Sequence, residues 1–533
     1  MTLSRSPILV VALDACDPAI ARHMAAAGRM PTLARLFERA SHCKVRNPRG
    51  LFVGSLWMTF ATGVRADRHQ FHCWDEIDVA TYIRRLTAPP GSEQPRFWHA
   101  LSDAGRRVAI IDVPHAKADV PLNGIEVAEW GCHDRHFGFH TWPSALAAKI
   151  DSAFGLHRVL GMDAYSIREW APDDYAHREA ALRTPEEDAT LLNGLLHGVK
   201  AKRKLNADLL ADGDWDLFLT VFGESHAVGH QQWHLHDPAH PRFHPDSVRM
   251  VGGDPIVQIY SALDAALGET LSLVSRDATV LVLLSHGMGP HYDGTHLLDE
   301  VLGRLDLFNR APQSGRGAKQ MLKRAAASLP GHIQRHVTAF ATPAIRRRIM
   351  GQALRPCPEF AEPEDRARQC YFMEPNNFVH GGVRLNLAGR EPQGCVQPNE
   401  VDAVCERLRN DLLALVNVVT GEPVIRRVER SDRWYRRSST DTLPDLFIDW
   451  QRTSPIETIW SPKIGLVHAP YTNWRSGDHR PDGLLLASGP GIPTGKALPS
   501  LDTEDFGPSI AARLGVTLED VDGRPVAWLN GRH

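Results

Sequence analysis

The sequence predicts an α/β protein with a central, mostly parallel sheet and helices on both faces. Three observations lead there: short apolar runs recur without two-residue alternation, helical stretches separate several of them, and polar residues gather just after them. Strands covered on both faces read as continuous apolar runs, and crossover helices let successive strands lie parallel.

The first run, Ile8–Leu13, ends in Asp14. A helical pattern follows through Ala19–Ala27, with Gly28 suited to the position after its end and Pro31 suited to open the next helix. Further strands are expected at Val108–Asp112, Asp216–Phe222, Thr279–Leu284, Asp445–Asp449 and Gly483–Ala487, with helices over Thr184–Ala207 and Pro255–Leu273. Residues 305–370 differ: Lys319, Lys323, Arg324, Arg335, Arg346, Arg347 and Arg348 sit among Ala and Leu at helical spacing. Such a basic insertion is more often a solvated helix face than a binding surface. The run Val383–Leu387 and a helix over Pro398–Val416 then resume α/β character. The expected division is a core from 1 to 304, a basic helical insertion or cap over 305–370, and completion of the core over 371–533.

A chain of 533 residues can bury a large core. Its formal net charge of -3, with 23% charged and 43% hydrophobic residues, describes an ordinary soluble globular protein and lacks the basic surplus expected of a nucleic-acid binder. Ile8–Leu13 is too short for a signal-peptide core, and no apolar stretch reaches the roughly 18 residues of a membrane span. The eight cysteines are scattered without a CxxC pair, which reads as reduced thiols in a cytoplasmic protein.

Asp14, Asp112 with His115, Glu224 with His226, and Ser285 with His286 all follow expected strands. Ligands of open α/β sheets bind outside the carboxyl ends of the strands, so one cleft can collect all of them. Within Gly223–His234, His226 and His230 are four apart and would share a helix face, offering two imidazoles to a zinc-like ion. Among 27 histidines this spacing alone does not decide the matter.

Four segments carry a more specific signal: Val11–Pro18 with Gly28–Leu33; Trp57–Gly63 with His69 after it; Leu284–Gly289; and Gly477–Gly483 leading into Ala487–Ile492. Together with Val383–Pro392 and Leu443–Leu446, and in this order, they resemble the type I phosphodiesterase / nucleotide pyrophosphatase family of the alkaline phosphatase superfamily. The resemblance implies an alkaline-phosphatase-like fold and two divalent ions, usually zinc, held near a Thr or Ser nucleophile. Two adjacent cations suit phosphoryl transfer, one activating the attacking group and one stabilising the leaving oxygen. Carried over residue by residue, it implies Asp14, His230, His286 and His479 as ligands.

Three positions depart from the pattern. His226 stands where the family usually has an aspartate, Ser285 stands where it has the aspartate of Ser-Asp-His-Gly, and Val53 stands at the nucleophile position, ten residues before Gly63. The nearest hydroxyl is Ser55, a candidate nucleophile whose alternative role is to cap the helix through Thr62. The departures leave one site of His226, His230 and His479, a catalytic-type zinc arrangement that can bring the pKa of a bound water towards ~7. The other site keeps Asp14 and His286 and would hold its ion more weakly. Glu224 is a candidate general base, and His69 and Arg384 are candidate substrate contacts. His133, Asp134, His136, His291, Asp293 and His296 are secondary candidates, each more often a polar loop residue than a ligand.

The expectation is a metal-dependent hydrolase of phosphate esters, using Zn2+ or Mn2+ on a small anionic substrate. Two rivals remain: a repurposed metalloenzyme on the same fold (a transferase, a cyclase or a non-phosphate hydrolase), and a non-catalytic protein that has kept only the fold.

Overall fold

The computed structural model describes residues 6–91, 93–133, 135–157, 184–310, 357–358, 360–377, 379–470 and 475–530. Most of the expected basic insertion, from residue 311 to 356, lies outside the described residues, as does Asp134.

Among the described residues the strands used below are β1 (Ile8–Leu13), β2 (Ser41–Arg46), β3 (Val108–Ile111), β4 (Gly124–Ala128), β5 (His140–Trp142), β6 (Leu217–Phe222), β7 (Thr279–Leu284), β8 (Gly287–Pro290), β9 (Tyr371–Glu374), β10 (His380–Leu385), β11 (Ile425–Arg430), β12 (Leu446–Trp450), β13 (Gly477–Arg480), β14 (Asp482–Ser488) and β15 (Leu501–Asp502). The helices are α1 (Pro18–Ala26), α2 (Pro31–Arg39), α3 (Phe52–Thr62), α4 (Pro185–Ala211), α5 (Glu224–His236), α6 (Pro255–Ser272), α7 (Leu298–Arg310) and α8 (Val401–Leu413).

The main sheet runs β15-β2-β14-β7-β1-β6-β3-β4-β5. Its centre is parallel: β1 pairs in register with both β6 and β7, and β3 with β6 and β4. β14 enters antiparallel between β2 and β7. Every residue of β1 is buried, and alternate side chains serve opposite cores. Leu9, Val11 and Leu13 face a core completed by residues of α1, α2, α4, α5 and α6, and Ile8, Val10 and Ala12 face one completed by residues of α3. Each buried aliphatic side chain contributes about 1.5–3 kcal/mol, which is why these runs show no alternation. This is the expected α/β architecture with helices on both faces.

Two expected strands belong elsewhere. Val383–Leu387 and Asp445–Asp449 contribute to β10 and β12 of a separate antiparallel sheet, β9-β10-β12-β11, not to the main sheet. β12 is buried throughout, because its residues pack into a third core with residues of α7 and α8, so its sequence mimics a central parallel strand. The helix expected over Pro398–Val416 is shorter, a 3-10 turn followed by α8.

Helix ends follow their sequence signals. The Asp17 side chain accepts from the backbone N–H groups of Ala19 and Ile20 to start α1, and Thr184 with Glu187 forms a reciprocal cap for α4.

Candidate metal centre

The carboxyl ends of β1, β4, β6 and β7 and the ribbon of β8 with β13 converge on one point. Asp14 leaves β1 fully buried, and the chain turns at once through Ala15 with φ 54°. That left-handed conformation strains a residue with a Cβ, and the Ser285 Oγ holds it by accepting from Ala15 N at 3.0 Å. Ser285 Oγ donates to Asp14 Oδ1 at 2.9 Å, and the Trp57 indole N–H donates to the same oxygen at 3.1 Å. Asp14 Oδ2 lies 2.8 Å from His133 Nε2. Burial pushes the Asp14 carboxyl up, but hydrogen bonding and charge from His133, with His286 and Ser285, outweigh it and hold the group below its ordinary value.

His226 and His230 do share one face of α5, their ring centroids 4.5 Å apart. The helix is interrupted two residues later at Gln232, where φ is -127°. His230 Nδ1 donates to Gly477 O at 2.8 Å, leaving Nε2 with a free electron pair, and that Nε2 lies 3.0 Å from His479 Nε2. The approach requires glycine on both sides. A Cβ on Gly477 would fall 2.1 Å from Gly229 O, and one on Gly229 would fall 2.7 Å from Met288 Cε. The ribbon therefore lies directly on α5.

Donor atoms of His226, His230 and His479 lie within 4.8 Å of one another, as do those of Asp14, His133 and His226. His286 stands beside them, 4.4 Å from His479 between ring centroids, with Nε2 3.9 Å from Asp14 Oδ1. Burial first, and neighbouring positive charge second, holds His226, His230 and His479 well below the ordinary histidine range, so they are neutral at neutral pH. Neutral imidazole is the ligating form, and three of them with a carboxylate nearby fit a zinc-like ion. The enclosed space is about 20 Å³, lined also by Val53, Gly54, Trp57 and Arg475, room for about one water-sized occupant.

The expected ligands Asp14, His226, His230, His286 and His479 thus come together. The other expected residues take different places. Ser55 lies inside α3, fully buried, and its hydroxyl donates to Leu51 O at 2.7 Å. Val53 and Gly54 line the pocket from the first turn of α3, where Val53 carries no hydroxyl. Glu224 is buried below the pocket, its Oε1 3.0 Å from His157 Nε2. Burial raises its carboxyl, but Lys202 and His157 more than offset that, and it stays below its ordinary value. Lys202 itself pairs with Asp112 at 2.9 Å. His69 Nε2 faces Thr59 Oγ1 at 3.0 Å, and Nδ1 accepts from Phe71 N at 3.1 Å. Arg384 is fully buried, donating to Glu391 Oε1 at 2.7 Å and to the carbonyls of Leu443 and Asp441. Ser55, Glu224, His69 and Arg384 do not line the pocket, and each is held by the partners just given.

His133 is the residue that sequence spacing undervalued. It follows β4, whose Gly-Ile-Glu-Val-Ala run is interrupted by the buried Glu126 and does not read as apolar. A strand recognised there would have placed His133 at a fourth carboxyl end. Arg475 and Asn377 also line the pocket without a preceding signal.

Among solved structures, human ectonucleotide pyrophosphatase/phosphodiesterase 5 aligns at 10% identity over 98% of this chain and 98% of that one, with a TM-score of 0.45. The murine protein aligns at 12% identity over 98% and 99%, with a TM-score of 0.43. An inactive variant of the murine protein in complex with AMP gives 11%, 99% and 99%, with a TM-score of 0.44. No curated protein sequence matches the chain. The type I phosphodiesterase / nucleotide pyrophosphatase family profile matches residues 8–482, from the first residue of β1 to the first of β14. With its metal-ligand candidates gathered at the strand ends over that whole span, the chain belongs to the type I phosphodiesterase / nucleotide pyrophosphatase family.

Proposed function

We propose that this chain is a metal-dependent hydrolase of phosphate esters whose attacking group is water, not a side-chain hydroxyl. The observation that carries this reading is the first turn of α3: Val53 faces the buried histidines while the Ser55 hydroxyl is committed to Leu51 O. His226, His230 and His479 would hold one ion, zinc or manganese, and Asp14 with His133 and His286 a weaker second. Such ions supply Lewis acidity and lower the pKa of a bound water.

The protein groups do the positioning. The His230 Nδ1 bond to Gly477 O fixes which nitrogen faces the pocket. Arg475 and the amino end of α3 bring positive charge to the same space, suited to a phosphoryl oxygen. Neutral histidines in place of carboxylates make the pocket more favourable for a small anionic substrate. On the composition reading, with its scattered cysteines, we place the reaction in the cytoplasm.

The test is hydrolysis of bis-p-nitrophenyl phosphate and of AMP esters by the full chain equilibrated with Zn2+ or Mn2+, beside His230→Ala. Metal-dependent turnover that falls at least ~100-fold in the variant is expected. Retained metal without turnover of any phosphate ester would sink hydrolysis and favour a transferase, a cyclase or a hydrolase of another bond. The same Val53 observation supports that second reading. A chain that binds no metal would sink both.

A further inference from the structure

The ribbon of β8 and β13 has two faces. His479 uses one, toward His226 and His230, and its neighbour Asp478 points to the other, as alternation along a strand requires. On that second face His291 Nε2 lies 2.7 Å from Asp293 Oδ2 and 3.5 Å from Asp478 Oδ2. The three side chains are no more than 2% exposed, and one donor atom from each falls within 4.8 Å of the other two.

Each carboxylate has one oxygen held by a backbone N–H. Asp293 Oδ1 accepts from Thr295 N at 2.8 Å, and Asp478 Oδ1 accepts from His479 N at 2.8 Å. Asp293 Oδ2 has the His291 imidazole at ion-pair distance, whereas Asp478 Oδ2 is buried and makes no hydrogen bond. A buried carboxylate oxygen left in that state is rare, because it has given up water and received nothing in return. Two arginines contribute charge from neighbouring elements. Arg452 acts on Asp478 and Asp293 but donates its Nη1 to His479 O at 2.7 Å, and Arg475 acts on His291. The spacing of the three donors suits a small divalent ion: with bonds of about 2.1 Å, its donors lie roughly 3.0–3.5 Å apart.

We propose that His291, Asp293 and Asp478 form a second, structural cation site, separate from the centre around His230. One imidazole and two carboxylates suit an ion of the zinc or manganese class better than Mg2+ or Ca2+, which favour all-oxygen shells. The site ties the loop after β8 to β13, and so fixes the strand that delivers His479. It rests on these side chains alone and does not depend on the reaction proposed above.

The test is metal content of the full chain, measured by mass spectrometry after dialysis against Mn2+ or Zn2+. Asp293→Asn and Asp478→Asn should each carry about one ion per chain fewer than the wild type, while His230→Ala loses a different ion and keeps this one. An Asp293→Asn protein with the wild-type metal content overturns the proposal. Should both Asn variants fail to fold, anomalous scattering from Mn2+-soaked wild-type crystals decides. A peak between His291 and Asp478 supports the site. Peaks confined to the His226, His230 and His479 group overturn it and leave the proposed reaction standing, and no peak anywhere overturns both.

Discussion

His133 and His226 lie ring on ring, with 3.7 Å between centroids and 12° between planes. Two imidazoles at that distance cannot both carry a proton at modest cost, and burial already disfavours charge on His226. The stack joins the two candidate ligand groups, because His133 also reaches Asp14 Oδ2.

His133→Ala is therefore expected to weaken metal binding at the centre by roughly 10- to 100-fold, the range seen when a ligand's orienting partner is removed. Competition against a chromophoric chelator measures it. Wild-type affinity in the variant would assign His133 to packing alone.

Ser55→Ala should keep phosphate-ester turnover within about twofold of wild type, since the hydroxyl bonds to its own helix. Intact-mass analysis during turnover should show no phosphoryl adduct on the wild type. A phosphorylated Ser55, or loss of turnover in the variant, would overturn water as the attacking group.

Acid should destabilise the fold through its buried, neutral histidines. Burial holds His69 down to about 3 and His72 to about 4, against 6.5 when unfolded. Below pH 6.5 the unfolded chain takes up protons that the folded chain refuses, so stability is full above that pH and falls as pH drops towards those values. At pH 5 the loss is on the order of 2 kcal/mol for each histidine. Asp14 acts in another window: its lowered value gives stability that is lost only as pH falls below 3.8. Urea midpoints at pH 7.5 and pH 5 test the histidine part, and a midpoint unchanged between them would refute it.

Glu224→Gln removes the carboxylate charge from His157 in a fully buried setting, while Lys202 keeps Asp112. Removing one partner of such a pair costs about 3–5 kcal/mol, so a large fall in thermal midpoint is expected. With Glu224 outside the pocket, the pH profile of turnover should keep its shape. A displaced acidic limb would restore Glu224 as a general base.

Much of this centre was legible in the sequence, for a physical reason. β1, β6 and β7 are covered on both faces, so they stand out as apolar runs, and the residues after them inherit their positions. Asp14, His226 and His286 were readable in that way, and His230 and His479 through the family resemblance. Orientation was not readable. Spacing places Ser55 near the pocket but cannot say that a helical hydroxyl turns back to Leu51 O. β12 misled for the opposite reason, since burial in a different core gives the same apolar run as a central parallel strand.

The donors at Asp14, His133, His226, His230, His286 and His479 arrive from nearly the whole length of the chain: the first five follow β1, β4, β6 and β7, which lie in one run of the sheet, and His479 comes from β13, just before β14 enters beside β7. A segment that ends before β13 holds five of the six donors and lacks His479. An ion held by the whole set would fasten the amino-terminal strand to the segment carrying His479. Tight loading would then report that the ribbon has docked: a chain without β13 in place keeps only part of the set with which to hold the metal.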